Sequence, residues 1–193
     1  MATSTTATPA TGSAAQTGHT TWSIDPAHSH LGFGIRHLMI ATVRGQFTDV
    51  NGTVVVDERD PTSATIDVTV ATKSVTTGDE KRDAHLRSPD FFDVERFPTM
   101  TFRSKRVEAR SGNSLRVVGD LTIRDVTREV ALDAELLGRA KDPWGNERAA
   151  FEASTKINRG DYGLTWNAAL EAGGVLVGDE VKISIEAELV RKI

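Results

Sequence analysis

Residues 115–136 read LRVVGDLTIRDVTREVALDAEL. Leu115, Val117, Leu121 and Ile123 recur at even spacing, and beyond Arg124-Asp125 the alternation resumes in Val130, Leu132, Ala134 and Leu136. A period of two sends successive side chains to opposite faces of a strand; a helix needs apolar residues three and four apart. Arg116, Asp120, Arg124, Asp133 and Glu135 fall between them, so each strand has one dry face and one wet face. The same rhythm holds on either side, in Leu31, Phe33 and Ile35, in Ile66, Val68 and Val70, and in Val181, Ile183, Ile185 and Leu189.

Turn signals separate the runs at Asn51-Gly52, Asp60-Pro61, Ser111-Gly112-Asn113 and Asp142-Pro143-Trp144-Gly145-Asn146, and Gly173-Gly174 reads as a hairpin tip. This spacing predicts about eight strands, near 21–25 continuing into 29–39, then 43–57, 64–72, 99–109, 114–123, 128–138, 148–157 and 180–191. One segment, Lys73 to Pro98, breaks the alternation. Thr77-Gly78-Asp79-Glu80 has capping-box spacing and predicts a short helix through Leu86; Ser88-Pro89 predicts a second, carrying Phe91 and Phe92 inward. The fold class expected is all-β, an eight-stranded antiparallel barrel with a helical insertion, because closure removes the exposed edges of a soluble sheet. A barrel of that size is either filled by side chains or holds one small or elongated ligand. The inferred inward faces carry Phe33, Phe47, Phe102 and many Val, Leu and Ile. An aqueous pore is thereby disfavoured, while periodicity leaves a packed interior and an apolar cavity both open.

The 193 residues carry 23 basic and 27 acidic groups, a formal charge of −4 spread without blocks, so charge alone predicts no grip on nucleic acid or anionic membrane. The chain has no cysteine, which removes disulfides, thiol nucleophiles and thiolate metal sites. Residues 1–18 are mostly Ala, Thr, Ser, Gly and Pro and predict a flexible tail, leaving 19–193 as the barrel. They lack the basic start and apolar run of a secretory signal, and the location expected is the cytoplasm.

In order and spacing, several motifs match one family: Trp22-Ser-Ile-Asp25 with His28-Ser29, Gly45-Gln-Phe47, Ser74-Val-Thr-Thr-Gly78, Arg82-Asp-Ala-His85-Leu86-Arg-Ser88, Asp90-Phe91-Phe92-Asp93, Gly119-Asp-Leu-Thr-Ile-Arg124, Asn158-Arg159-Gly-Asp-Tyr-Gly163 and Val177-Gly-Asp-Glu-Val181. Over residues 21–192 the chain resembles the YceI family of lipocalin-like barrels associated with polyisoprenoids. The resemblance implies an extended barrel with a long apolar channel for an isoprenoid chain, and dimers among relatives. Asp125 stands where relatives usually carry Gly, and Asp tolerates the left-handed backbone such a turn can need.

These readings together predict non-enzymatic binding, storage or transport of a polyprenyl or quinone-like amphiphile, without cofactor, metal or nucleic acid; transient membrane contact and a homodimer fit the same picture. Leu31, Phe33, Ile35, Phe47, Val68, Phe91, Phe92, Phe102, Leu121, Ile123 and Leu132 are candidate contacts for the chain of the ligand. His37, Arg82, His85 and Arg159 are candidates for its head group. His37 falls in phase with the inward face and, if buried, needs a partner such as Asp83, His85, water or ligand. Arg159 offers a planar fork for anionic oxygens, against a plain ion pair with Asp161 or another acidic neighbour. His28 and His30, two apart, would share a strand face, a geometry suited to metal ligation or to simple backbone bonding. Trp22, Trp144 and Trp166 read as packing or surface anchors. The alternatives are an enzyme using His37 or an Asp83/His85 pair as acid and base, and a packed structural module. No Gly-x-Ser-x-Gly elbow accompanies that pair.

Overall fold

The computed structural model describes residues 18–170 and 174–192. Most of the flexible-tail expectation, and Gly173 of the expected hairpin tip, lie outside them. Eleven hydrogen-bonded segments form one sheet: β1 (His19–Ile24), β2 (His30–His37), β3 (Ala41–Phe47), β4 (Val50–Asp57), β5 (Asp60–Ala71), β6 (Val75–Thr76), β7 (Thr99–Ala109), β8 (Ser114–Ile123), β9 (Val126–Lys141), β10 (Glu147–Asn158) and β11 (Val177–Arg191). β1 with β2, β3 with β4, and β5 with β6 are interrupted halves of single long strands. The segments therefore make an eight-stranded antiparallel barrel, as the alternation predicts. It closes where β1 pairs with β4 on one side, Trp22 opposite Val54, and with β11 on the other, Trp22 opposite Arg191.

The interruptions have local causes. Asp25 accepts from the Ala27 amide and caps a 3-10 turn over Pro26–His28, which separates β1 from β2. The run predicted over 43–57 breaks at Thr48-Asp49, whose amides donate to Ser74. Asn51-Gly52 is not a turn: Asn51 sits opposite Thr69 and Gly52 opposite Val68 inside β4. A side chain at Gly52 would begin 2.6 Å from Ile24 Cδ1, so this glycine marks a close approach within the sheet. β2 stops at His37 because Leu38 and Met39 both adopt the left-handed backbone. At the β8–β9 hairpin the left-handed residue is Arg124, not Asp125. Its guanidinium donates to the Gly163 carbonyl at 3.2 Å and lies over the Phe97 ring, contacts that hold the conformation.

The insertion contains one helix, α1 (Glu80–Arg87), capped by Asp79 rather than Thr77; the Asp79 carboxylate accepts from the Arg82 amide at 3.0 Å. The helix expected at Ser88-Pro89 is replaced by tight turns in which the Phe91 and Asp93 amides both reach the Ser88 carbonyl. Thr77 instead serves Asp83. That carboxylate is buried and accepts from the Thr76 hydroxyl and from the Thr77 hydroxyl and amide at 2.6–2.9 Å. Arg87 donates to the Lys73 and Val75 carbonyls, so the insertion is pinned to the barrel end by its own charged residues.

Packed apolar clusters occupy both ends of the barrel. Phe47, Val70, Val75, Met100, Ile123, Tyr162 and Leu164 form one beside α1, and Trp22, Ala149 and Leu189 with Val54, Val56, Leu136 and Phe151 form the other. A third, Phe102, Val107 and Val117, packs along β7 and β8; inward residues such as Leu31, Val68, Leu121, Leu132 and Ile185 are nonetheless only partly buried although they belong to the dry face. The surface they show is turned to an internal space. The interior is hollow.

Candidate functional site

That space is a cavity of about 1000 Å³, at the top of the roughly 300–1,000 Å³ range of small-ligand sites. Its wall includes His37, Arg82 and Leu176 at the end where α1 sits, and Pro61, Thr62, Asn113 and Arg139 at the opposite end, so it runs the length of the barrel. Alternation builds it: Leu31, Phe33 and Ile35 of β2, Ile66 and Val68 of β5, Leu121 and Ile123 of β8, and Ile183 and Ile185 of β11 all point inward. Phe33 and Phe47 pack at 5.8 Å between ring centres, and Phe92 meets Phe47 edge-on at 5.5 Å. These rings narrow the tunnel beneath the helix.

All fifteen residues singled out from the sequence lie in this wall: the apolar set Leu31, Phe33, Ile35, Phe47, Val68, Phe91, Phe92, Phe102, Leu121, Ile123 and Leu132, and the polar set His37, Arg82, His85 and Arg159. The polar set gathers at the α1 end. Arg82 is exposed and donates to the Thr77 hydroxyl at 2.7 Å and carbonyl at 3.2 Å, which aims it along the rim. The Nε2 of His85 is 2.8 Å from an oxygen of Asp90, and its ring meets the edges of Phe91 at 5.0 Å and Trp166 at 4.6 Å. His85 is thus held on three sides.

Asp83 and His85 do not form the acid–base pair that their spacing in the chain suggests. Two positions apart on a helix, they project to nearly opposite sides, Asp83 to Thr76 and Thr77, His85 to Asp90. Burial works to raise the Asp83 carboxyl, but the Thr77 and Thr76 hydrogen bonds outweigh it and hold the group below the ordinary range. Arg159 is buried, and its donors go to the carbonyls of Gly178, Leu164 and Trp166 at 2.6–2.8 Å, with Asp179 at 3.4 Å. Its carboxylate neighbour is Asp179 and not Asp161. Arg159 therefore ties the segment 164–166, which carries Trp166 to the tunnel wall, to the start of β11, and burial lowers its own pKa.

His28 and His30 do not share a face, since His28 ends the 3-10 turn and His30 begins β2. Among the described residues one group, Asp25, His28 and Glu188, brings three potential metal ligands together. Arg148 donates to both Asp25 and Glu188, so a cation already stands between the carboxylates. Trp144 is exposed at the β9–β10 hairpin as expected. Trp22 lines the far end of the cavity, its Nε1 donating to Thr20.

Three residues quoted in the sequence analysis received no site role there: Trp166, which lines the tunnel wall, and Asp90 and Tyr162, which stand behind it. Asp90 and Trp166 lie in irregular segments, where no period marks which side chain turns inward. Tyr162 is buried next to the cavity cluster with a hydroxyl that has no hydrogen-bond partner, and burial, with Asp161 nearby, pushes its pKa up to about 12.

The YceI-like domain family matches residues 22–189. The chain belongs to the YceI family. It is similar to Protein YceI of Salmonella newport, 42% identical over 138 residues, 72% of each chain. The crystal structure of the Campylobacter jejuni YCEI protein superposes with a TM-score of 0.71 at 33% identity, covering 82% of this chain and 91% of that one. A polyisoprenoid binding domain from Saccharophagus degradans shares the fold, with a TM-score of 0.63 at 14% identity over 89% of this chain and 98% of that domain. Among the described residues no helix of this YceI-family chain is long and apolar enough to cross a membrane.

Proposed function

We propose that this YceI-family protein binds, stores or carries a long isoprenoid amphiphile, its chain in the tunnel and its head group at the α1 mouth, without catalysing a reaction. The observation that carries the reading is the apolar tunnel open to residues at both barrel ends. The polyisoprenoid binding domain of S. degradans, built on the same fold, supports it by analogy of architecture. His37, Arg82 and His85 supply the hydrogen-bonding and cationic groups at the mouth, and Arg159 holds the loop behind them.

Burial of roughly 500 Å² of apolar chain contributes on the order of 12 kcal/mol. Association and ordering take back about 4–15 kcal/mol of that. A lipid leaving a bilayer was already out of water, so its net gain is small and exchange with membranes is reversible. A carrier or store fits that balance better than an irreversible trap. A cytoplasmic location and a homodimer belong to the same proposal, tested by cell fractionation and by analytical ultracentrifugation.

Native mass spectrometry of the protein purified without detergent tests the central claim. The expected result is an adduct with isoprene-repeat mass that organic extraction removes and added polyprenol restores. Protein that arrives empty and takes up no polyprenol from dispersion overturns it.

A further inference from the structure

The turn between β2 and β3 is strained and greasy at once. Leu38 and Met39 hold φ of 52° and 60°, and the Ile40 amide closes the turn onto the His37 carbonyl at 3.2 Å. A turn with two left-handed central residues ordinarily takes Asn-Gly, because a Cβ there clashes with its own backbone. Here those positions are filled by residues with nothing to gain locally. Their side chains stand in solvent: Leu38 is 36% exposed, Met39 61% and Ile40 81%, and Val175 beside them is 41% exposed. The Leu38 amide donates to the Leu176 carbonyl at 2.9 Å, which fixes this apolar lip to the segment carrying Val175.

The lip adjoins the tunnel mouth. His37 and Leu176, its immediate neighbours in the chain, line the cavity, as do Arg36, Lys81 and Arg82 at the same end. Arg44, exposed on β3, adds a further cation, and among the described residues Arg36, Arg44, Lys81 and Arg82 have no carboxylate within ion-pair distance. At the tunnel end that carries the apolar tip the fold thus gathers cations without ion-pair partners, with Asp79 as a carboxylate in the same wall, despite the chain's net negative charge. Exposed apolar side chains with cations nearby match the composition of an interfacial anchor.

We propose that the Leu38–Ile40 turn inserts into the surface of an anionic bilayer, docking the mouth against the membrane so that lipid passes between bilayer and tunnel without crossing water. The docking surface rests on the lipid-carrier reading for its purpose but is measured without any cargo.

Co-sedimentation with phosphatidylcholine vesicles, with and without phosphatidylglycerol, reads the docking directly. Wild-type protein is expected to bind the anionic vesicles. The double variant M39D/I40D is expected to bind them at least about tenfold more weakly, since two apolar groups no longer enter the interface. R44Q is expected to weaken binding to anionic vesicles and to leave binding to neutral ones unchanged. Transfer of a fluorescent prenyl lipid out of anionic vesicles slows in M39D/I40D, while its uptake from dilute ethanol dispersion matches wild type. Vesicle binding that survives M39D/I40D overturns the proposal, and so does a wild-type protein that binds no vesicles. A change of sedimentation coefficient in M39D/I40D with vesicle binding intact also overturns it, assigning the lip to a second copy of the chain. Absence of uptake from dispersion by the wild type defeats the carrier reading instead and leaves the vesicle result standing.

Discussion

Gly45 is glycine because Phe33 lies across it. The two residues are cross-strand partners in β2 and β3, and a Cβ on Gly45 would begin 2.4 Å from Phe33 Cζ and 2.8 Å from Thr77 Cγ2. Both neighbours have other duties: Phe33 packs on Phe47, and Thr77 satisfies the buried Asp83. Gly45→Ala therefore forces the Phe33 ring toward the open tunnel. The expected cost is about 1–3 kcal/mol of stability in urea unfolding, together with weaker polyprenol uptake because the displaced ring takes ligand space. Unchanged uptake alongside lost stability would place the ring elsewhere. Single-residue roles of this kind were partly legible in the chain. Inward phase identified Phe33 and His37 from spacing alone, whereas the assignment of Asp83 to Thr76 and Thr77, and of His85 to Asp90, depends on which way a short helix faces.

Among the elements, β10 offers a direct test of the interior. Ala149, Phe151, Ala153, Thr155 and Ile157 alternate inward along it, and two of them, Ala153 and Thr155, are small side chains in the tunnel wall outside the packed Trp22 cluster. Ala153→Trp tests the hollow directly. In an empty barrel the indole enters without displacing neighbours, so the protein should fold with a Tm within a few degrees of wild type while polyprenol uptake falls at least about tenfold. A filled barrel would answer oppositely, with overpacking and a large loss of Tm. The strands themselves were readable from sequence because a half-buried strand writes its two faces into alternate residues. Their breaks were not. β3 and β4 separate at Thr48-Asp49 through bonds to Ser74, a residue 25 positions away in the chain for Asp49, and Gly52 looked like a turn although it marks a contact with Ile24 across the sheet.

At the end remote from α1 one guanidinium cross-links three carboxylates from separate segments. Arg148 on β10 donates to Asp25 after β1, to Asp142 in the β9–β10 hairpin and to Glu188 on β11. Hydrogen bonds from Arg148 and His28 hold the Asp25 carboxyl down at about 2, and those from Asn146 and Arg148, against some burial, hold Asp142 at about 2. Both values lie below the ordinary carboxylate value of about 3.9, so the stabilisation these groups contribute is complete above that pH and is lost as pH falls through the folded values. Thermal unfolding followed by circular dichroism should show Tm falling steeply between about pH 4 and pH 2. Arg148→Ala should lower Tm by several degrees at pH 7 and flatten that acid limb; an unchanged limb would remove the cluster as its cause. Alternation of apolar and polar residues was sufficient to specify the strands, their number and their dry face, since each of those properties is local to a few neighbouring positions. Whether the dry faces met in a packed core or around a tunnel was settled by the distance between opposite walls, and the Arg148 cluster and the apolar lip arose from segments brought together by closure. Such properties are sums over residues far apart in the chain, and local periodicity carries no record of them.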